Sequence, residues 1–327
     1  MKIAVFGAGA WGTALARAFS ASHDICIWSL EAEHVEEMRR TRENRRYFPG
    51  FTLPSSISLS SDLAATAEAA DLHLIATPLA GLRETVRRIH ALGLETPLIW
   101  ACKGLEADSG KLAHEIVTEE TRPDFPFGAL TGPSFADEVG RNLPTAVALA
   151  SFDAAFARKW GNALHQPRLR IYANNDLVGC EIGGAVKNVL AIATGLSDGL
   201  GFGLNTRAAL LTRGLAEIAR LAEALGGQRD TLMGLAGMGD LILTCTGDLS
   251  RNRQVGLALA AGKALDTILQ ELGHVAEGVP TAKAVVRLAQ SCGVEMPVCE
   301  AVKGVLYDEL PPLKAAELLL ARDPKTE

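Results

Sequence analysis

The chain has 327 residues, 48% hydrophobic and 21% charged, with a net charge of −6. That length suits two domains with sizeable cores, the composition is that of an ordinary globular protein, and the charge balance offers no basic surface for nucleic acid. Six cysteines (Cys26, Cys102, Cys180, Cys245, Cys292 and Cys299) form no C-x-x-C pair, and the seven histidines make no ligand-spaced set with them, so reduced thiols, a cytoplasmic location and no metal site are expected.

The first strand is expected at residues 3–6, which leaves no room ahead of it for a signal peptide. It feeds into Gly7-Ala8-Gly9-Ala10-Trp11-Gly12 and a helical stretch at 13–20. In a dinucleotide fingerprint of this kind Gly7 allows the tight turn and Gly9 lets the backbone approach a pyrophosphate. Gly12 lets the helix pack on the strand and aim its amides at the phosphates. A second strand at 25–28 leads to Glu31, at the distance of a ribose-binding carboxylate. The plainer alternative is a glycine-rich turn that only packs.

Further apolar runs at 72–76, 97–101, 128–130, 146–150 and 168–172 alternate with helical patterns, which predicts a parallel sheet with helices on both faces. Ligands lie beyond the carboxyl ends of such strands, so Thr77, Lys103 and the Gly132-Pro133-Ser134 turn belong to the nucleotide side. Lys103, directly after a strand and beside Gly104, is either a site residue or a solvated loop lysine. Polar or charged residues interrupt every apolar run, so no membrane span is expected.

From about Asp176 strand signals fade and helices take over. The polar turn Ala173-Asn174-Asn175 marks the expected boundary between a Rossmann-like dinucleotide-binding domain, 1–175, and an all-α domain, 176–327. Leu211, Leu215, Ile218, Ala222 and Leu225 line one helix face, serving either a core or a homodimer contact. Only residues 322–327 are expected to fray. Gly184, Lys187, Asn188 and Ala191 share another face, on which Lys187 either meets a ligand or snorkels to water. Gly234 to Leu241, Thr244-Cys245-Thr246 and Ser250-Arg251-Asn252 combine flexible backbone, hydroxyls and a guanidinium suited to a phosphate, although the hydroxyls could simply cap helices.

Taken in order, Gly7 to Leu15, Lys103-Gly104-Leu105-Glu106, Gly132 to Ala136, Pro144 to Val147, Lys187-Asn188, Asn205 to Gly214, Gly239-Asp240-Leu241, Thr244 to Thr246, Ser250 to Asn252 and Glu277-Gly278-Val279 resemble the NAD(P)-dependent glycerol-3-phosphate dehydrogenases of the bacterial type. The resemblance implies hydride transfer between nicotinamide and C2 of a three-carbon phosphate. That reaction interconverts sn-glycerol 3-phosphate and dihydroxyacetone phosphate and supplies the former for phospholipid synthesis. By the same resemblance Lys187 is the acid/base group, and an ordinary lysine carries its proton near neutrality. Lys103 lies near both ligands and adds positive potential. Gly132, Ser134, Asp240, Ser250, Arg251 and Asn252 complete the substrate shell. Gly7, Gly9, Ala10, Trp11, Gly12, Leu30, Tyr47, Ala136, Arg251, Val275 and Glu277 fall to the cofactor.

Family members commonly carry a basic residue where this chain has Leu30. That leaves NAD against NADP open, with the basic stretch Arg39, Arg40, Arg42, Arg45 and Arg46 as a substitute source of charge. The same two-domain plan also serves dehydrogenases of other hydroxy or keto substrates, and a dinucleotide sensor without turnover is the remaining alternative.

Overall fold

In the computed structural model, which describes residues 1–273 and 275–320, the opening apolar run forms β1 (Lys2–Phe6). The strands that follow are β2 (Asp24–Trp28), β3 (Glu43–Asn44), β4 (Phe48–Thr52), β5 (Ile57–Ser60), β6 (Leu72–Ile75), β7 (Leu98–Trp100), β8 (Phe127–Thr131), β9 (Thr145–Ala150) and β10 (Leu169–Asn174). Between them run α1 (Ala10–Phe19), α2 (Ala32–Thr41), α3 (Leu63–Glu68), α4 (Leu82–His90), α5 (Ala113–Glu120), α6 (Ala136–Gly140) and α7 (Ala154–Leu164). The expected fraying of 322–327 lies outside the described residues.

The chain divides into two units. The first comprises Met1–Lys103 and Ala113–Leu177, the second Gly104–Leu112 and the chain from Val178 onward. In the first unit eight strands form one sheet in the order β10-β9-β8-β7-β6-β1-β2-β5. Central strands are buried along almost their whole length, because helices cover both faces and a continuous apolar run is what such a strand needs. Register aligns Phe6 with Trp28 and Ile75, and Ile75 with Trp100. The residues after these four therefore form one carboxyl edge. β1 has β2 on one side and β6 on the other, so strand order reverses there and the edge opens into a crevice.

One step departs from the expected parallel sheet, since β9 runs antiparallel to β8. The connection between them contains only the short α6 and returns at the edge where β8 ended. This keeps Gly132, Ser134 and Ala136 on the carboxyl edge. The hairpin of β3 and β4 and the edge strand β5 carry no strand signal in the sequence. β4 includes Pro49 and Gly50 and is mostly exposed, and β5 alternates buried and exposed positions.

The second unit is helical: α8 (Leu177–Gly199), α9 (Gly203–Ala224), α10 (Asp240–Thr246), α11 (Arg251–Ala260), α12 (Leu265–Leu272), α13 (Gly278–Ser291), α14 (Pro297–Tyr307) and α15 (Pro312–Leu320). Its core joins Ile182 and Val186 of α8, Ile218 of α9 and Val285 of α13 to Leu105 and Leu112 of the inserted segment. On α9, Ile218 and Ala222 are buried in that core and Leu211, Leu215 and Leu225 pack against it, so this stripe serves the core. Glu217, also on α9, accepts hydrogen bonds from the Val298 and Cys299 amides at the start of α14, at 2.7 and 3.2 Å. Among the described residues α8 is the one helix long and apolar enough to cross a membrane, and 94% of its most apolar window is buried inside the protein.

Candidate active site

In the first unit the fingerprint glycines have distinct physical reasons. Gly7 sits at φ +119°, and a Cβ there would lie 2.7 Å from the Ala76 carbonyl at the end of β6. On Gly12 a Cβ would lie 2.1 Å from the Gly7 carbonyl oxygen, so α1 packs on its own entry turn. Gly9 has an ordinary φ of −75°, and a Cβ on it would meet nothing within 4 Å. The chain itself therefore gives no reason for glycine at 9, and a ligand drawn close to the backbone does. No side chain caps α1, which leaves the amides of its first turn available to an anion. These features fit a dinucleotide pyrophosphate. Ala10, Trp11 and Ala136 pack beside the turn on Ala14, Phe48 and Val139.

One residue that the sequence pattern does not single out holds this turn. Asn44, fully buried, donates to the Ala8 carbonyl and to Thr13 Oγ1, both at 2.8 Å, and its Oδ1 contacts His34 Nε2 at 3.0 Å. Asn44 sits within a run of arginines, where charge dominates the pattern and conceals a structural amide. Leu30 is 71% exposed. Beside it Glu31 pairs with Arg46 at 2.5 Å, and the Arg46 guanidinium lies 4.9 Å from the centroid of the Tyr47 ring. Farther along the edge, Lys103 Nζ donates to the Gly132 carbonyl at 3.1 Å, which also accepts from Ser134 Oγ at 3.0 Å. Lys103 is thus drawn onto the Gly132 turn rather than left as a solvated loop lysine.

In the second unit Lys187 does not snorkel. It is 6% exposed, and its Nζ is held by Asp240 Oδ1 and, at 2.9 Å, by Thr244 Oγ1. Thr244 in turn donates to the Asp240 carbonyl at 2.7 Å. Asp240 is 1% exposed, so its carboxylate serves the lysine. The glycine beside this cluster has a packing reason, since a Cβ on Gly183 would lie 2.5 Å from the Ala236 carbonyl oxygen. Cys245, next to Thr244, has its thiol pushed up to about 12 by burial and is no nucleophile.

Ser250 caps α11 through the Arg253 amide at 3.3 Å. Asn252 donates to Asn188 Oδ1 at 3.0 Å and accepts from the Gly278 amide at 2.9 Å, tying α8, α11 and α13 together. Between these two anchors Arg251 keeps an exposed side chain without a hydrogen bond or ion pair to any described residue. Surrounding protein lowers its pKa by desolvation, against which the Glu277 carboxylate acts. Val275 is exposed nearby in sequence. Among the described residues no three His, Cys, Asp or Glu side chains gather to hold a metal.

Comparison with known proteins agrees along the whole chain. Residues 2–157 match the family described as NAD-dependent glycerol-3-phosphate dehydrogenase N-terminus, and residues 176–317 match its C-terminus. A glycerol-3-phosphate dehydrogenase (NAD(P)+) of Aromatoleum aromaticum is 67% identical, with 100% of both chains covered. One of Dechloromonas aromatica is 62% identical, over 100% of this chain and 99% of that one. Among solved structures, the glycerol-3-phosphate dehydrogenase of Coxiella burnetii superposes with a TM-score of 0.94 at 43% identity, covering 98% of this chain and 99% of that one.

Proposed function

The chain belongs to the NAD-dependent glycerol-3-phosphate dehydrogenase family, and from that premise we propose how its residues divide the work. The reaction is the interconversion of sn-glycerol 3-phosphate and dihydroxyacetone phosphate with NAD(P), which supplies glycerol 3-phosphate for phospholipid synthesis. The single observation that carries the assignment of roles is the buried Lys187, its amine fixed by Asp240 and Thr244.

In this reading residues 1–175, apart from the inserted segment Gly104–Leu112, form the dinucleotide domain. Gly7, Gly9, Gly12 and the first-turn amides of Ala10 and Trp11 receive the pyrophosphate, Leu30 and Tyr47 border the adenosine ribose, and Ala136, Val275 and Glu277 complete the cofactor contacts. When bound, the nicotinamide delivers a hydride to C2 of the ketone or removes one from the alcohol. Residues 176–327 supply the proton and hold the substrate.

As C2 is reduced, the ketone oxygen gains negative charge and takes a proton from Lys187 Nζ, leaving a neutral amine; oxidation of the alcohol returns it. Asp240 and Thr244 keep the amine in place through both states. Lys103 adds positive potential beside the developing alkoxide, with Gly132 and Ser134 setting its position. Arg251, its donors uncommitted, takes the substrate phosphate through a charge-assisted fork, while Ser250 and Asn252 fix the helix turn that carries it. The protein works in the cytoplasm in this reading.

The test is oxidation of NADH or NADPH by purified protein with dihydroxyacetone phosphate, dihydroxyacetone or pyruvate. The phosphate supplies remote binding energy that orients the ketone, so its loss lowers kcat as well as raising KM. Equal kcat/KM for the phosphorylated and unphosphorylated ketones overturns the assignment.

A further inference from the structure

We propose that Arg46 reads the 2′-phosphate of NADP, and that its exchangeable pairing with Glu31 lets one ribose pocket accept either dinucleotide. The proposal rests on the reading of the first unit as the dinucleotide site. Glu31 follows β2 at the place where a carboxylate accepts from the ribose hydroxyls of NAD, and where a nearby arginine accommodates the extra phosphate of NADP. Leu30, 71% exposed, offers no charge for that phosphate.

Of the five arginines that follow, four are engaged or distant. Arg39 donates to the Leu59 carbonyl at 2.5 Å, and Arg42 to the carbonyls of Pro54 and, at 3.0 Å, Ile57. Arg45 pairs at 3.3 Å with Glu43, whose other carboxylate oxygen accepts from the Gly50 amide. Arg40 lies on the last turn of α2, about 13 Å along the helix from Glu31. Arg46 alone among these five pairs with Glu31, at 2.5 Å, with both side chains 51% exposed.

An exposed pair of this kind is weak, and a phosphate with its higher charge competes for the guanidinium. The Tyr47 ring beneath Arg46 keeps the cation over the pocket when the carboxylate lets go. Position is fixed from below as well. The Tyr47 amide donates to Asn44 Oδ1 at 3.2 Å, and Asn44 holds the Ala8 carbonyl of the pyrophosphate turn at 2.8 Å. The arginine is therefore placed relative to the 5′ end of the same nucleotide.

Calorimetric titration with adenosine 2′,5′-bisphosphate and adenosine 5′-monophosphate tests this without turnover. Arg46→Ala is expected to reduce the preference for the bisphosphate by about 10- to 100-fold, and Arg46→Lys to restore part of it. Glu31→Gln is expected to tighten the bisphosphate and weaken NAD+. If both nucleotides bind wild type and Arg46→Ala leaves their ratio unchanged, Arg46 does not read the phosphate, although the nucleotide site stands. If wild type binds neither nucleotide, the site itself falls and the proposal with it.

Discussion

Lys187 and Arg251 are both cations of the second unit, but the protein invests in them differently. Lys187 is buried against a carboxylate, whereas Arg251 has no such commitment. Lys187→Met keeps the stem and removes the proton, so kcat is expected to fall by roughly 10²- to 10⁴-fold while nucleotide Kd stays within a few-fold. It also strands the Asp240 carboxylate, a loss on the order of 3–5 kcal/mol for a broken buried pair. Lys187→Met combined with Asp240→Asn should recover much of that stability and none of the turnover; recovery of turnover would remove Lys187 from the chemistry. Arg251→Ala should behave in the opposite way, weakening dihydroxyacetone phosphate binding by about 1.5–3 kcal/mol with little change in Tm. An unchanged substrate Kd would leave that turn with a capping role only. The lysine was legible because an amine on a glycine-bearing helix face needs a reason. Its partner was not, because Asp240 lies 53 residues away and its own surroundings suggest a ligand group.

At the scale of elements, α1 separates a glycine kept for packing from one kept for a ligand. A methyl on Gly12 meets backbone that cannot yield, so Gly12→Ala should cost about 1–3 kcal/mol through overpacking. Gly9→Ala meets open space at a permissive φ, so Tm should hold while dinucleotide affinity drops. A Gly9→Ala variant that binds NAD(P)H normally would reduce Gly9 to a turn residue. The central strands were legible because burial on both faces writes an unbroken apolar run. β3, β4 and β5 were not, since short or half-exposed strands with Pro49 and Gly50 carry the signature of loops. The reversal at β9 was equally hidden, because strand direction depends on where a connection returns rather than on the strand's own residues.

For the whole molecule, stability should depend on pH through Glu217. Burial pushes its carboxyl up to about 7 from an ordinary 4.5, and the Val298 and Cys299 amides only partly oppose that. A folded pKa above the unfolded one means the native state holds the proton more tightly. The associated stability is complete below pH 4.5 and is lost as pH rises through about 7. The span corresponds to at most about 3 kcal/mol. Thermal denaturation from pH 5 to 8 should show wild type losing Tm relative to Glu217→Gln; parallel curves would mean that the carboxyl titrates as an exposed one.

The segment Gly104–Leu112, which belongs to the second unit although it interrupts the first, has a consequence in time. Synthesis runs from the N-terminus, so Leu105 and Leu112 leave the ribosome well before Ile182, Val186 and Val285, with which they share a core. Ala107 and Asp108 likewise wait for Arg287, whose guanidinium bonds both their carbonyls at 2.9 Å. A nascent chain of the first 177 residues can complete its sheet, yet it still carries a strip of apolar side chains whose cover has not been made. Halving the gene at the helical boundary would make that interval permanent.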